Sequence, residues 1–446
     1  MDRNEILRQL IDQKSYMKDR IKDGVSARKR GVFVYPRVKN GGAVPAGAKM
    51  TVRQKNHEFL HGANIFLLDE LDTEKRNAAY KKRFAEVFNL ATLPFYWNTL
   101  EPEPGKCRFA KDSPKIYRRP APDLCLEYCE KNGIRPKAHC LNYASLVPDW
   151  LPVNRPQRLK MLLAERFRIL AERYADRIPM WEVTNETFWH GGMPQFPIYN
   201  DPEFVEWSFR TAETYFPGNR LVINEAHSHV FRQELFHGNR TPYYMQIERA
   251  LLKGARIDGI GMQFHMFYRQ ENAAAAGEYY SPLHLYNVMD TFAKLGRPLQ
   301  ITEITIPAYT DRPEDEELQA EIIGYLYSMW FSHPAMEGII YWNLVDGCGY
   351  GAAPGEMDAG ENYFRGGLLR YDMSPKPAYR VIRDLFTKEW RTETSFDIAG
   401  TGAGYFKGFC GDYEAELEMA DGRYTGTFTV SSACSREICC NLRKCE

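Results

Sequence analysis

The 446-residue sequence carries no excess of either charge: lysine plus arginine and aspartate plus glutamate number 58 each. Without a net field the chain has nothing to hold a nucleic acid or an anionic membrane surface, so a neutral ligand suits it better. No apolar run is long enough to span a bilayer. The charged start, MDRNEILRQLIDQKSYMKDR, reads as helical and has no uninterrupted stretch of signal-peptide type. That start implies a cytoplasmic protein as the sequence stands, or a secreted one if a leader has been trimmed away. A Gly-rich phosphate loop is missing, which argues against phosphate or nucleotide-cofactor chemistry. The ten cysteines include no C-x-x-C pair. Cys434, Cys439, Cys440 and Cys445 crowd the tail with no histidine nearby, so the spacing rules for a structural zinc are unmet. Neither metal nor cofactor is expected, and no protein partner is implied.

What is present is 44% hydrophobic residues, ample for a large core. Three regions stand out. Residues 1–56 hold the polar helix and a β-like extension: Gly31-Val-Phe-Val-Tyr-Pro, a Gly-Gly turn at 41–42, and Ala48-Lys-Met-Thr-Val-Arg. Over 57–390, short apolar runs alternate with amphipathic helical stretches. Eight runs read as strands: Glu58–Phe66, Phe88–Phe95, Arg135–Asn142, Met180–Asn185, Arg220–Asn224, Gly259–Gln263, Leu299–Ile304 and Gly338–Asn343. Between them lie patterns such as TEKRNAAYKKRFAEVF and PDLCLEYCEKNG, the second ending at Gly133 in a C′-like position. A doubly wound sheet would show the same alternation, but the count of eight favours a (β/α)8 TIM barrel. Residues 391–446 are β-rich, with an Asp421-Gly422 hairpin signal, and form a small domain whose partners could be the strands near 31–56. Its aromatics Tyr405, Phe406, Phe409 and Tyr413 read as core.

Catalytic groups of such a barrel sit where strands end on their C-terminal side. Glu186 falls there after MWEVTN, and Glu303 falls there in LQITEITIP. Singly, each could be a structural ion-pair partner. Together, on the fourth and seventh strands, they look like the pair that acetal cleavage needs: one acid to protonate the leaving oxygen, one carboxylate to stabilise the opposite side of the ring. Asn185, just before Glu186, is placed either to bond a sugar 2-hydroxyl or to cap its own strand end.

Longer segments sharpen this. FLHGANIF, FNLATLPFYWNTLEPEPGKCRF, RPKAHCLNYASLVPDWL, IPMWEVTNETF, LVINEA, IDGIGMQFHMF, PLQITEITIPA and YWNLVDG follow one another in this order. The chain thereby resembles glycoside hydrolase family 10, the barrel endo-β-1,4-xylanases, over about 57–388. The resemblance implies Glu186 as acid/base and Glu303 as nucleophile. It further implies His265 bonded to the nucleophile, Gln263 near the acid/base, His139 against the −1 sugar and Trp342 as its hydrophobic floor. Taken alone, those histidines and that tryptophan would read as structural. Departures fall on the glycone side. The family's Glu-Asn-x-x-Lys-Trp is replaced by Leu93-Pro94-Phe95-Tyr96-Trp97-Asn98, without the lysine, leaving Tyr96 or Asn98 as candidate substitutes. A tryptophan of the family becomes Tyr143, its neighbouring histidine becomes Ala144, and the second aromatic after the eighth strand is Tyr350.

The reading is therefore a retaining hydrolase of xylan or xylo-oligosaccharides, acting on an oligo- or polysaccharide. The altered contacts leave open the same mechanism on another plant-cell-wall β-glycoside. A non-catalytic carbohydrate-binding barrel is the remaining alternative, opposed by the joint presence of Glu186, Glu303, Asn185, Gln263 and His265.

Overall fold

The computed structural model describes residues 3–12, 15–39, 43–152, 154–188, 197–233, 236–433 and 435–445. The Gly-Gly turn at 41–42 and Cys434 lie outside them. Two compact units result: Met1–Gln13 with His61–Tyr327 and Ala335–Tyr379, and Lys14–Leu60 with Ser328–Pro334 and Arg380–Glu446.

The first unit is built on a closed eight-stranded barrel. Its strands are β3 (Leu60–Asn64), β4 (Leu90–Pro94), β5 (Arg135–His139), β6 (Met180–Asn185), β7 (Arg220–Glu225), β8 (Gly259–His265), β9 (Leu299–Thr305) and β10 (Met336–Tyr341), in sequence order around the ring. Neighbours pair in parallel, for instance Leu90 with Arg135 and Asn224 with Gly261. All eight runs expected from the sequence are these strands. Every position of β3, β4, β6 and β9 is buried. Parallel strands covered on both faces read as continuous apolar runs rather than alternations, which is why run length located them.

The helices between them start and stop where local chemistry dictates. Thr73 caps Glu74–Val87 by accepting the Arg76 N–H, a contact worth about 1 kcal/mol. Pro122, Pro156, Pro242 and Pro282 each open a helix, where the missing N–H costs nothing. Gly133 ends Pro122–Asn132 at φ 64°, the left-handed cap expected of it. The first helix, Arg3–Ile11, belongs to the barrel unit: Ile6 and Leu10 pack over Gly277, and the Arg3 guanidinium lies 4.6 Å from the Tyr309 ring. Among the described residues no helix is long and apolar enough to cross a membrane.

The second unit holds a seven-stranded sheet. Two strands come from the N-terminal extension, β1 (Lys29–Val38) and β2 (Lys49–His57). Five come from the tail: β11 (Glu393–Asp397), β12 (Gly404–Phe409), β13 (Gly411–Met419), β14 (Gly422–Val430) and β15 (Glu437–Lys444), in the order β11-β2-β13-β14-β15-β1-β12. The sequence divides residues 1–56 from 391–446, but β1 pairs with β12 and β15, and β2 with β11 and β13, so one sheet takes strands from both. Met419 opposes Gly422, which puts the hairpin turn at Ala420-Asp421. Val32, Val34, Met50, Val52, Phe406 and Tyr413 share the apolar core. Phe409 is also buried, whereas Tyr405 points outward at 53% exposure, because β12 alternates its faces. Among the described tail cysteines, Cys440 is buried in the sheet core while Cys439 and Cys445 are exposed, so adjacent Cys439 and Cys440 face opposite sides of β15.

One barrel position has no room for a side chain. A Cβ on Gly261 would lie 2.6 Å from Asn224 Oδ1 and 2.8 Å from both the Ile223 carbonyl and Thr302 Cγ2. Gly261→Ala is expected to destabilise the protein by about 1–3 kcal/mol, the usual cost of overpacking, read as a shifted urea midpoint at unchanged m.

Candidate active site

Glu186 leaves the C-terminal end of β6 and Glu303 lies near that of β9, so the barrel brings both carboxylates to one mouth. Glu186 takes φ 51°, a left-handed value rare for a side chain with a Cβ. Its surroundings hold it there. Its N–H donates to the Asn224 carbonyl at 3.2 Å, and Glu225 Oε2 accepts from both the Thr187 N–H (2.8 Å) and its hydroxyl (2.9 Å).

Side chains from four strands then tie the carboxylates together. Gln263 Nε2 donates to Glu186 Oε1 at 3.0 Å, to Glu303 Oε1 at 3.1 Å and to Asn185 Oδ1 at 3.2 Å. Asn224 Nδ2 donates to Glu303 Oε1 at 2.8 Å, to Asn185 Oδ1 at 2.8 Å and to Glu182 Oε1 at 3.0 Å. Ionised carboxylates only accept, which fixes the amide orientation in both cases. The other oxygen of Glu303 accepts from His265 Nε2 at 3.0 Å, and His265 Nδ1 meets the Thr305 hydroxyl at 3.0 Å. Burial lowers the His265 pKa to about 4, so near neutral pH its ring is an uncharged donor. The Tyr143 hydroxyl donates to Glu186 Oε2 at 2.6 Å. Burial, reinforced by that carboxylate, pushes the phenol pKa up and keeps its proton in place.

Beneath this pair lies a buried ion cluster. Glu182 sits 2.8 Å from Lys137 Nζ through one oxygen and 2.6 Å from His139 Nδ1 through the other, and all three are buried. Burial alone would raise the Glu182 carboxyl, but the His139 and Lys137 charges outweigh it and hold the pKa at about 2. Burial likewise works against charge on His139, yet Glu182 prevails and keeps its pKa above the usual value. Glu303 goes the other way. Burial lifts it well above the usual carboxylate range, and Glu182 and Glu186 add to this while His139 opposes it. His139, Cys140 and Glu182 place ligand-type atoms within 4.8 Å of one another. His139 and Glu182 are engaged with each other and with Lys137, and burial pushes the Cys140 thiol pKa up, all of which works against metal binding by the trio.

Aromatic rings floor the mouth. Trp342 lies 5.3 Å from the His139 ring, 5.9 Å from His265 and 5.2 Å from Phe66. Tyr96 packs edge-on to His139 at 5.1 Å; of the two candidate substitutes for the absent lysine, it is the one whose ring meets the site. The barrel thus gathers all eight residues singled out from the sequence: Glu186, Glu303, His139, Tyr143, Asn185, Gln263, His265 and Trp342. Four more belong with them. All four fall in runs read as strand: the polar character of Asn224, Glu182 and Lys137 there was the available signal, while Phe66, apolar like its run, gave none.

Lys137 offers a direct check on the ion cluster. Removing one partner of a buried pair leaves the other charge uncompensated, so Lys137→Met should destabilise the fold by about 3–5 kcal/mol in urea unfolding. A loss below about 1 kcal/mol would mean that His139 alone neutralises Glu182.

With this geometry in hand, the relatives are informative. The family model described as Glycosyl hydrolase family 10 matches residues 68–385. Endo-1,4-beta-xylanase B of Thermotoga neapolitana is 25% identical over 340 residues, covering 74% of this chain and 88% of its own length. Endo-1,4-beta-xylanase 2 of Arabidopsis thaliana is 23% identical over 393 residues, covering 86% of this chain. This chain spans only 32% of that plant relative's length. Among solved structures, xylanase 10B from Thermotoga petrophila RKU-1 in complex with xylobiose shares the fold at a TM-score of 0.56 and 20% identity, over 74% of this chain and 95% of that one. The chain belongs to glycosyl hydrolase family 10.

Proposed function

We propose that this chain is a retaining glycoside hydrolase that cleaves β-1,4-linked xylan or xylo-oligosaccharides by double displacement. The observation that carries the proposal is the Gln263 amide shared between Glu186 and Glu303. One nitrogen reaches both oxygens at 3.0 and 3.1 Å. The nearest carboxylate oxygens are therefore no more than roughly 6 Å apart, which favours the close pair of a retaining enzyme (carboxyl groups about 5–5.5 Å apart) over the wider pair of an inverting one (about 6.5–9.5 Å).

The residues divide the work by environment. In the first step Glu186, protonated, gives its proton to the glycosidic oxygen while a Glu303 oxygen attacks the anomeric carbon. The bond to the leaving sugar breaks and a glycosyl ester forms. In the second step Glu186, now ionised, takes a proton from water. The water oxygen attacks the same carbon and Glu303 departs as carboxylate. Tyr143 and Gln263 donate to different oxygens of Glu186 and so stabilise its ionised form between the steps. His265, Asn224 and Gln263 donate three N–H groups to Glu303, which favours its attacking, ionised form against the burial that resists it. The His139 ring lies 5.3 Å from that of Trp342, and on this reading His139 and Asn185 meet the hydroxyls of the −1 sugar.

Two substitutions separate the roles. Glu303→Gln should abolish turnover of every glycoside. Glu186→Ala should slow unactivated xylo-oligosaccharides by about 10²–10⁴-fold and affect aryl xylosides with good leaving groups far less, since these need little protonation. Equal losses on both substrate types in Glu186→Ala would remove it from the acid role. Wild-type rates in Glu303→Gln would end the proposal. The pH profile adds a third check. A carboxyl lifted above 4.5 is protonated, and therefore no nucleophile, below its raised pKa. The acidic limb of kcat/KM on an activated xyloside should accordingly fall above pH 4.5; a limb below that value would place the ionising nucleophile elsewhere.

A further inference from the structure

The segment between β4 and the helix Pro122–Asn132 carries two adjacent arginines, Arg118 and Arg119, at 4% and 9% exposure. Buried guanidinium groups are ordinarily matched by carboxylates, because an unmatched buried cation is costly. Among the described residues no carboxylate lies within ion-pair distance of either one. Arg118 donates Nη1 to the Cys348 carbonyl and Nη2 to Asn343 Oδ1 at 3.3 Å, and its buried Nε has no partner. Arg119 donates Nη1 to the Arg118 carbonyl at 2.8 Å. Glu361, whose field reaches Arg119, has one oxygen occupied by Asn343 Nδ2 (2.8 Å) and the Tyr350 N–H (2.9 Å).

The pair stands directly behind the rings of the candidate active site. The Arg119 guanidinium carbon lies 4.3 Å from the Tyr96 ring centre and 5.5 Å from that of Phe66. Those two rings in turn meet His139 at 5.1 Å and Trp342 at 5.2 Å. Asn343, which Arg118 grips, follows Trp342 in the chain. Two neighbouring cations repel each other, and ring faces and carbonyls offset that only in part. A carboxylate would complete the arrangement, since the guanidinium fork matches its two oxygens and is weakly hydrated. A neutral hydroxyl would leave both charges in place.

We infer that Arg118 and Arg119 form a carboxylate-recognition point beside the cleft, so that the preferred glycoside carries a uronic acid unit next to the sugar held over Trp342. The inference rests on the reading of the cleft as a glycoside site and specifies the substrate class of that site.

The test is calorimetric binding to the Glu303→Gln protein, which holds ligands without turning them over. Three ligands are compared: a xylo-oligosaccharide bearing a glucuronic acid branch, the same compound with its carboxyl reduced to the alcohol, and the unbranched oligosaccharide. The acidic ligand should bind at least ten times more tightly than its reduced twin. Adding Arg119→Gln should bring that ratio close to one, and Arg119→Lys should restore part of it, which a merely structural arginine would not show. Equal binding of the acidic and reduced ligands to Glu303→Gln, or an undiminished ratio in a folded Arg119→Gln protein, overturns the inference. Hydrolysis of the unbranched oligosaccharide by the wild type, measured alongside, tests the parent reading separately. Turnover without acid preference defeats the inference alone, and absence of both binding and turnover defeats the two together.

Discussion

The amide of Asn224 is the contact on which the rest of the site depends. Fully buried on β7, it has two hydrogens to offer and three acceptors in range: Glu182, Asn185 and Glu303. The Thr302 hydroxyl donates to its Oδ1 at 2.5 Å, so the amide cannot turn over without losing four bonds. One side chain thereby fixes β6, β7 and β9 relative to one another at the level where the carboxylates project. The absence of a side chain at Gly261, on the adjoining strand, is what leaves space for it. In a low-dielectric interior such a network is valuable only when every member is satisfied, and here the acceptors outnumber the donors. The shortfall is met from Gln263, His265 and Lys137, which explains why polar residues of two further strands, β8 and β5, converge on the same point.

The same network divides the charges. Three carboxylates, Glu182, Glu186 and Glu303, share the interior with the cations of Lys137 and His139, while His265 stays neutral. Glu182 takes both cations and is held ionised. Glu303 receives neutral donors and is pushed upward by burial. Glu182 and Glu303 are thus given opposite protonation behaviour by their surroundings, and the N–H donors on Glu303 counter the burial that resists its ionised form. Glu186 stands at the edge of the cluster, braced by a phenol and an amide rather than by a full charge.

Much of this was legible in the residues, for a physical reason that also sets the limit. Burial on both faces makes a parallel strand a run of apolar residues, so all eight strands could be found by length, and the glutamates at their ends stood out against those runs. Lys137, Glu182 and Asn224 sit inside the runs. Their partners lie on other strands, and only the register around the barrel shows that Lys137 faces Glu182 or that Asn224 reaches Glu303. The sequence named the strands near 31–56 as possible partners of the tail, but the strand order and register of the second sheet, set by pairing across long sequence separations, came only from the structure. Tyr405 was misplaced by counting aromatics as a group, where the alternation of β12 alone decides that it faces outward while Phe406 faces in. Arg118 and Arg119 gave no signal at all in sequence, because an arginine pair in a loop is ordinarily solvated and only the structure shows it buried.

The central claim is that Glu303 becomes covalently bonded to the sugar. The most direct measurement is mass spectrometry of the protein after incubation with a 2-deoxy-2-fluoro-xylobioside bearing a good leaving group, a reagent whose glycosyl ester forms faster than it hydrolyses. The account predicts one added glycosyl mass per chain, located after proteolysis on the peptide containing Glu303. Leaving-group release with no adduct, or an adduct carried by another residue, would contradict it.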